Sequence, residues 1–424
     1  MFTIFSRKSY KLIGVCGVKE VVKMGLFEKY AESIAIKDLN TQSYNECEQL
    51  YSNGNYEKAL ESCLRYSINT DDARIWTMIG NMYRFGYGCT ANQEEAFTWL
   101  SKAAMARVPE AEYQLWQMYR DGDGVAKDPS EALMWLTKAA NHKYGDAALD
   151  LADIYTLGEL VNADQEKAVQ YYKIAANAGL PLAECSLGIY YFSKCNHNVC
   201  YYYQAIKWFK KSAEHGISDA YYNLSQVYLQ NRFPGRNLNE YITNLDLAAR
   251  AGVPIAILEM GNAYFDGMGV ECSFKTAMEY YQNPALDDCV DAQKKLGYIY
   301  EEGLEVKADQ EKARKYYQKA ADRGSSFACY KIGSYHYKNG DKASALTYYQ
   351  KAADKNYPPA LAKLADFYFL GEGTQVDHKK SYYNAYFASC LGVPNFEDLS
   401  KYKIGLREDE IRQIEQEIDQ KISY

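Results

Sequence analysis

The sequence has no apolar run near the roughly 18 residues that a bilayer-spanning helix needs, so no membrane insertion is expected. It also has no excess of positive charge. Its 48 Lys and Arg against 55 Asp and Glu leave a net charge of −7, with an isoelectric point near 5.5. That balance argues against a nucleic-acid groove or a surface for anionic membranes. Histidine is scarce: His142, His197, His215, His336 and His378 lie far apart, mostly near expected turns, and none sits in a recurring arrangement with Ser, Cys or Asp. No catalytic residue is assigned on that basis, and no cofactor is called for. A complete export signal is missing too. Arg7, Lys8 and Lys11 precede LIGVCGV, but Lys19 and Glu20 cut that stretch short and no A-x-A site follows. Met24 offers an alternative start, because MGLFEKYAESIAI opens an amphipathic helix.

The 11 cysteines are an odd number, and Cys47, Cys63, Cys89, Cys185, Cys272, Cys289, Cys329 and Cys390 share no register, which a disulfide ladder would need. Free thiols in a reducing compartment are therefore expected, and cytoplasmic residence ahead of the periplasm or secretion. The sharpest metal candidate is Cys185 with Cys195, His197 and Cys200 of CNHNVC. Four soft ligands would suit zinc, yet C-x-H-x2-C matches no familiar zinc module and Cys185 falls within a helix, so no metal is expected.

What the sequence does have is tyrosine, 42 in all, and a period. The stretch from Ala111 to Asp146, AEYQLWQMYRDGDGVAKDPSEALMWLTKAANHKYGD, reads as helix, glycine turn, helix. Ala111, Leu115 and Tyr119 fall on one face, Gly122 and Gly124 end that helix, and Ala132, Trp135, Leu136, Ala139 and Ala140 form the stripe of a second. Two short helices cannot bury such a stripe alone, so copies must stack. Tiles start at Ile75, Ala111, Ala147, Ala183, Ala220, Ala256, Ala292, Ala328 and Ala360, in steps of 36, 36, 36, 37, 36, 36, 36 and 32 residues, after a shortened unit from Ser43. An aromatic stands eight residues after each start from Tyr83 to Tyr368, with His336 the exception, and is expected to pack on the neighbouring tile. Glycines such as Gly80, Gly188, Gly261, Gly297 and Gly333 let helix axes approach closely. The G-x-G pairs follow helices rather than strands, so they read as helix terminators and not as phosphate loops. Asp121, Asp123 and Asp128 hint at a calcium loop but lack its closing Glu.

The pattern A-x3-L-G-x2-Y-x2-G-x-G-V, then K-A-x2-W/Y-Y-x2-A-A-x2-G, resembles the Sel-1-like repeat family, a relative of the tetratricopeptide repeat. Gly267, Gly269 and Val270, Lys312 and Ala313, Tyr316 and Tyr317, and Gly324 match it residue by residue. The tile from Ala328 lacks four loop residues and looks tetratricopeptide-like, and the tile from Ala220 has RFPGRNLNEYITNL in place of the glycine turn. The resemblance implies an all-α, right-handed superhelical α/α solenoid of about ten helix-turn-helix repeats with capping helices at both ends. Residues 1–42 are then an N-terminal extension with a capping helix over 26–36, residues 43–395 the solenoid, and residues 396–424 a C-terminal cap. In that cap Leu406, Ile411, Ile414, Ile418 and Ile422 cover the last tile.

In such solenoids the first helices line the concave face, so positions 2, 6, 9 and 10 from each tile start should point inward. Position 6 supplies Asn81, Gln117, Asp153, Gln226, Asn262 and Asp366, whose amides and carboxylates can bond the backbone of an extended peptide. Around them fall Arg84, Arg120, Tyr113, Tyr222, Phe265, Tyr298, Tyr330, Tyr337 and Phe369, residue types suited to anchoring a partner. The expected function is a non-enzymatic scaffold or adaptor for a protein or extended peptide, as resemblance to bacterial adaptor and regulator proteins of this family implies. Two alternatives are a hydrolase like the cysteine-rich, β-lactamase-like members, whose regularly spaced disulfide cysteines are missing here, and a secreted effector, suggested by the Glu-rich C-terminus. Composition and spacing leave the oligomeric state open.

Overall fold

The computed structural model describes residues 42–68, 71–195, 199–230, 236–394, 396 and 398–422. The helix expected over 26–36, His197 and residues 231–235 of the altered turn lie outside them. The described chain is all-α and runs as successive helix pairs, a helical-pair solenoid. These are α1 (42–52) with α2 (Tyr56–Ser67), α3 (Ala73–Phe85) with α4 (Gln93–Met105), α5 (Pro109–Asp121) with α6 (Pro129–Asn141), and α7 (Gly145–Leu157) with α8 (Gln165–Asn177). They continue with α9 (Pro181–Lys194) and α10 (Val199–Glu214), α11 (Ser218–Leu229) and α12 (Leu238–Arg250), and α13 (Pro254–Asp266) and α14 (Phe274–Tyr281). The last pairs are α15 (Val290–Glu302) with α16 (Gln310–Asp322), α17 (Ser326–Lys338) with α18 (Lys342–Ala353), and α19 (Pro358–Leu370) with α20 (His378–Cys390). A short 3-10 helix at Ser400–Lys403 and α21 (Glu408–Ile422) follow. Among the described residues no helix is long and apolar enough to cross a membrane. The chain divides into two compact units, the first ending at Tyr190 and the second beginning at Tyr191.

Local sequence explains the repeated hairpin. In the tile from Ala111, α5 stops because Gly122 takes φ 83° and donates its N–H to the Met118 carbonyl at 2.8 Å. The second helix then starts at Asp128, whose carboxylate accepts from the N–H groups of Ser130 at 2.8 Å and Glu131 at 3.1 Å. The Asp128 N–H closes the loop on the Tyr119 carbonyl at 3.0 Å, and the same bond recurs from Asp164 to Tyr155, Ser273 to Tyr264, Asp309 to Tyr300 and Asp377 to Tyr368. Thus Asp128 serves as a helix cap, while Asp121 is held by two hydrogen bonds from Arg120.

Three expectations need correction. The aromatics at position 8 divide: Tyr119 meets Phe97 of the preceding tile at 5.5 Å, as expected, but Tyr155 stacks on Tyr171, Tyr264 on Tyr280 and Tyr300 on Tyr316 inside their own tiles, with centroids 5.9, 5.8 and 5.7 Å apart. His336 takes the same place, 5.5 Å from Tyr348, so imidazole substitutes for phenol as a flat ring. In the tile from Ala256 the second helix breaks at Asn283 and Pro284 into α14 and a 3-10 turn at Pro284–Leu286, because Pro removes the backbone donor that would carry the helix on. In the C-terminal cap Ile418 is fully buried and Ile411 and Ile414 pack on the last tile, but Ile422, counted with the apolar stripe, is 44% exposed at the helix end.

Candidate binding face

In several tiles a buried phenol reaches from the second helix to the first, where the tiles from Ile75 and Ala111 have Leu100 and Leu136 instead. The Tyr172 hydroxyl donates to Asp153 at 2.6 Å, Tyr281 to Asn262 at 2.8 Å, and Tyr349 to Ser334 at 3.2 Å. Tyr317 does the same with Glu301 at 2.7 Å. Burial first, and the carboxylate beside it second, push the Tyr172 phenol up to about 12 and raise Tyr317 further still. The rings need room beside the first helix, and glycine supplies it: a Cβ at Gly261 would lie 2.6 Å from Tyr281, and one at Gly297 would lie 2.6 Å from Tyr317. Two of the position-6 residues, Asp153 and Asn262, are therefore also the polar ends of core tyrosines.

In the first unit, first-helix side chains bond across successive tiles. Arg84 donates to Gln117 at 2.9 Å and to Gln114 at 3.4 Å, and desolvation by burial, which the charges of Asp123 and Asp121 oppose, lowers its pKa. Asn81 donates to Glu110 at 3.2 Å, while its own Oδ1 is buried without a partner. Tyr113 donates to Asp150 at 2.8 Å; burial raises both groups, chiefly through desolvation. Arg120 lies 4.6 Å above the Trp116 ring and is exposed.

In the second unit, Tyr222 at 2.9 Å and Gln226 at 2.8 Å converge on the Glu259 carboxylate. Phe265 and Tyr298 face each other at 6.2 Å across two tiles, with the Lys295 ammonium 3.6 Å above the Phe265 ring. They line a cavity of about 440 Å³ together with Leu258, Asn262 and Phe327. A second cavity of about 350 Å³ is lined by Tyr330, Tyr337, Lys331 and Lys363 among others. Tyr330 packs 5.6 Å from both Tyr349 and Tyr357, and Tyr337 lies 5.4 Å from Phe367. Asp366 and Phe369 are met by the chain's own C-terminal segment: Tyr402 donates to Asp366 at 2.7 Å, and its ring lies 5.8 Å from Phe369.

So the residues singled out in the sequence lie on first helices, and adjacent tiles bring several of them together, but many of their polar atoms bond one another. Sequence reasoning missed position 3. It holds Gln114, Asp150 and Glu259, which receive the cross-tile bonds, and then Lys295, Lys331 and Lys363 in three successive tiles. The signal was available, since position 3 lies about 20° from position 10 on a helical wheel. Of the cysteine group, Cys185 is buried in α9, the Cys195 thiol donates to Gln230 at 3.2 Å, and Cys200 is exposed near the start of α10. Among the described residues no three His, Cys, Asp or Glu side chains are grouped to hold a metal. Chemically the face offers rings, amides, carboxylates and ammonium groups for recognition.

A family profile described as Sel1 repeat matches residues 77–107, 109–144, 145–180, 196–217, 254–283, 290–325, 326–357 and 358–393. The segment 326–357 is among them, so the tile from Ala328, with its shortened loop, matches as a Sel1 repeat rather than a tetratricopeptide unit. The matches leave out 218–253, where the glycine turn is replaced. A sel1-like repeat-containing protein of Acanthamoeba polyphaga mimivirus is 38% identical over 92 residues, which are 22% of this chain and 16% of that protein. The chain thus spans only a small part of that relative's length. Among solved structures, c5321, a protective antigen present in uropathogenic Escherichia coli strains displaying an SLR fold, is 21% identical, covers 85% of this chain and 90% of its own, and has a TM-score of 0.53. At that identity the likeness speaks for the fold alone. A Sel1 repeat protein from Oxalobacter formigenes is 22% identical over 78% of this chain and 87% of its own, with a TM-score of 0.44.

Proposed function

This chain belongs to the Sel1 repeat family, and from that premise we propose that it is a protein-binding scaffold whose partner, a protein or an extended peptide, lies against the first-helix face. The fold is typical of protein-interaction scaffolds, and on this face exposed rings stand beside open cavities, Tyr298 at one and Tyr337 at another. Phe85 is 55% exposed, Tyr298 40% and Tyr337 39%. That observation carries the reading, because rings left open beside cavities gain most from being covered by a partner. Their polar neighbours pair with one another, as Arg84 does with Gln117, so the face is preorganised and ordering it on binding costs little.

The test is affinity purification with mass spectrometry, using the full chain as bait. Tyr298→Ser and Tyr337→Ser combined, both within the second unit, should lose the captured partner, while Met105→Ser, at a 77% exposed position on the second helix α4, should keep it. Equal capture by both variants, with helix content unchanged by circular dichroism, would sink the proposal. Replacing Asn81, Gln117 and Asn262 is less discriminating, because Asn262 holds the Tyr281 hydroxyl and Gln117 holds Arg84.

A further inference from the structure

Lys295, Lys331 and Lys363 occupy position 3 of three successive tiles in the second unit, a row of ammonium groups in a chain whose net charge is −7. The middle one is neutralised: Lys331 Nζ lies 3.1 and 2.8 Å from the two oxygens of Glu301. The outer two are not. Lys295 rests over the Phe265 ring, Lys363 is exposed, and among the described residues no carboxylate pairs with either. Lys295 lines the cavity of about 440 Å³ with Leu258, Phe265, Tyr298 and Phe327, beside Asp291, whose charge Lys294 neutralises at 2.8 Å.

The chain itself shows what completes that cavity. Phe265 and Tyr298 form a ring pair across two tiles, and Phe369 and Tyr402 form the same pair at the same sequence separation. At the second pair a third ring is in place: Phe396 stacks on Tyr402 at 5.6 Å and 8° and, with the core around Ala365, Tyr382 and Ala385, leaves it 2% exposed. At the first pair no third ring covers Tyr298 among the described residues, and it stays 40% exposed beside open volume.

We propose that the second unit binds an acidic peptide segment anchored by an aromatic side chain, the ring entering the cavity over Tyr298 and two carboxylates pairing with Lys295 and Lys363. This deepens the scaffold reading and rests on it. The spacing of the carboxylates follows from the array. Successive first helices meet through long side chains, as Phe265 meets Tyr298, so they lie at or beyond the roughly 10 Å of directly packed helices, and the two lysines, two tiles apart, are separated by roughly 20 Å or slightly more. In an extended segment, residues i and i+6 share a face in both β and polyproline II geometry and lie about 19–20 Å apart. In β geometry the matching ligand therefore carries acidic residues six apart, with the aromatic residue on the same face two residues from the first.

The experiment is fluorescence anisotropy on the full chain with a fluorescein-labelled peptide containing one Phe, a Glu two residues after it and a second Glu six residues beyond that, with Ala, Thr and Ser elsewhere. Saturable binding is expected, weakening with added salt, and falling about tenfold or more when Phe becomes Ala in the peptide or when Lys295→Glu or Lys363→Glu is made in the protein. A peptide with Lys in place of both Glu should recover affinity for the doubly reversed protein. No saturation, equal binding of the Lys peptide by the unchanged protein, or indifference to Lys295→Glu and Tyr298→Ala would each overturn the proposal. If the peptide fails to bind while the face variants still abolish partner capture, this inference falls alone; if capture ignores the face variants, the scaffold reading falls.

Discussion

Tyr317 crosses its tile with its ring against Gly297 and its hydroxyl on Glu301, which in turn holds Lys331 of the next tile. One glycine thereby sets the position of a carboxylate on the binding face. Adding a methyl group at Gly297 puts a Cβ 2.6 Å from Tyr317 Cε1. Overpacking of that kind costs roughly 1–3 kcal/mol, whereas Ala in place of Gly inside a helix recovers up to about 1 kcal/mol. The clash should win, so Gly297→Ala is expected to lower stability by roughly 1–2 kcal/mol in chemical denaturation. In a Tyr317→Leu background the same change should be neutral or stabilising, because the ring is gone. A double-mutant cycle reads this directly: strictly additive effects would mean that the ring does not fix the glycine.

The two glycines of a turn do different jobs. Gly122 ends α5 with φ 83°, and a Cβ there would meet nothing closer than 3.6 Å; at Gly124 a Cβ would lie 2.1 Å from the Gln93 carbonyl, at the start of the preceding tile's α4. The first glycine therefore serves its own hairpin, and the second lets tiles stack. Gly122→Ala should cost about 1 kcal/mol for the left-handed backbone, and Gly124→Ala roughly 3 kcal/mol because strain and clash combine. Equal losses of thermal midpoint would contradict that division. The hairpins were readable in the sequence because turn glycines, Asp caps and apolar spacing act within a few residues of one another, as at Gly122, Asp128 and Leu136. What was not readable depends on which residues packing brings together. Nothing near Asn262 in the sequence announces that Tyr281 will reach it, and the convergence of Tyr222 and Gln226 on Glu259 exists only once tiles are stacked. The first-helix register was legible, but the set of positions taken to face inward left out the lysines at position 3.

Across the array, second helices and loops are largely consumed by construction: Ala103, Ala139, Ala175, Ala248, Ala320 and Ala352 are fully buried, and glycine turns seat on the preceding tile. The C-terminal segment repeats the device, with Tyr402 standing where a next tile would place its first-helix ring and α21 covering Phe387 and Ala388. What construction leaves over is the first-helix face, where Phe85, Tyr298 and Tyr337 stay open and where position 3 changes from Gln114, Asp150 and Glu259 to a row of lysines. Sameness builds the solenoid, and variation on one face is what the proposed partner would read. The most direct measurement is hydroxyl-radical footprinting of the full chain with and without its captured partner, read by mass spectrometry at exposed side chains. Binding should suppress oxidation at Tyr298, Tyr337 or Phe85 and leave Met105 and Met134, exposed on the second helices α4 and α6, unchanged. Protection of the two methionines with the three rings oxidised as before would contradict the account.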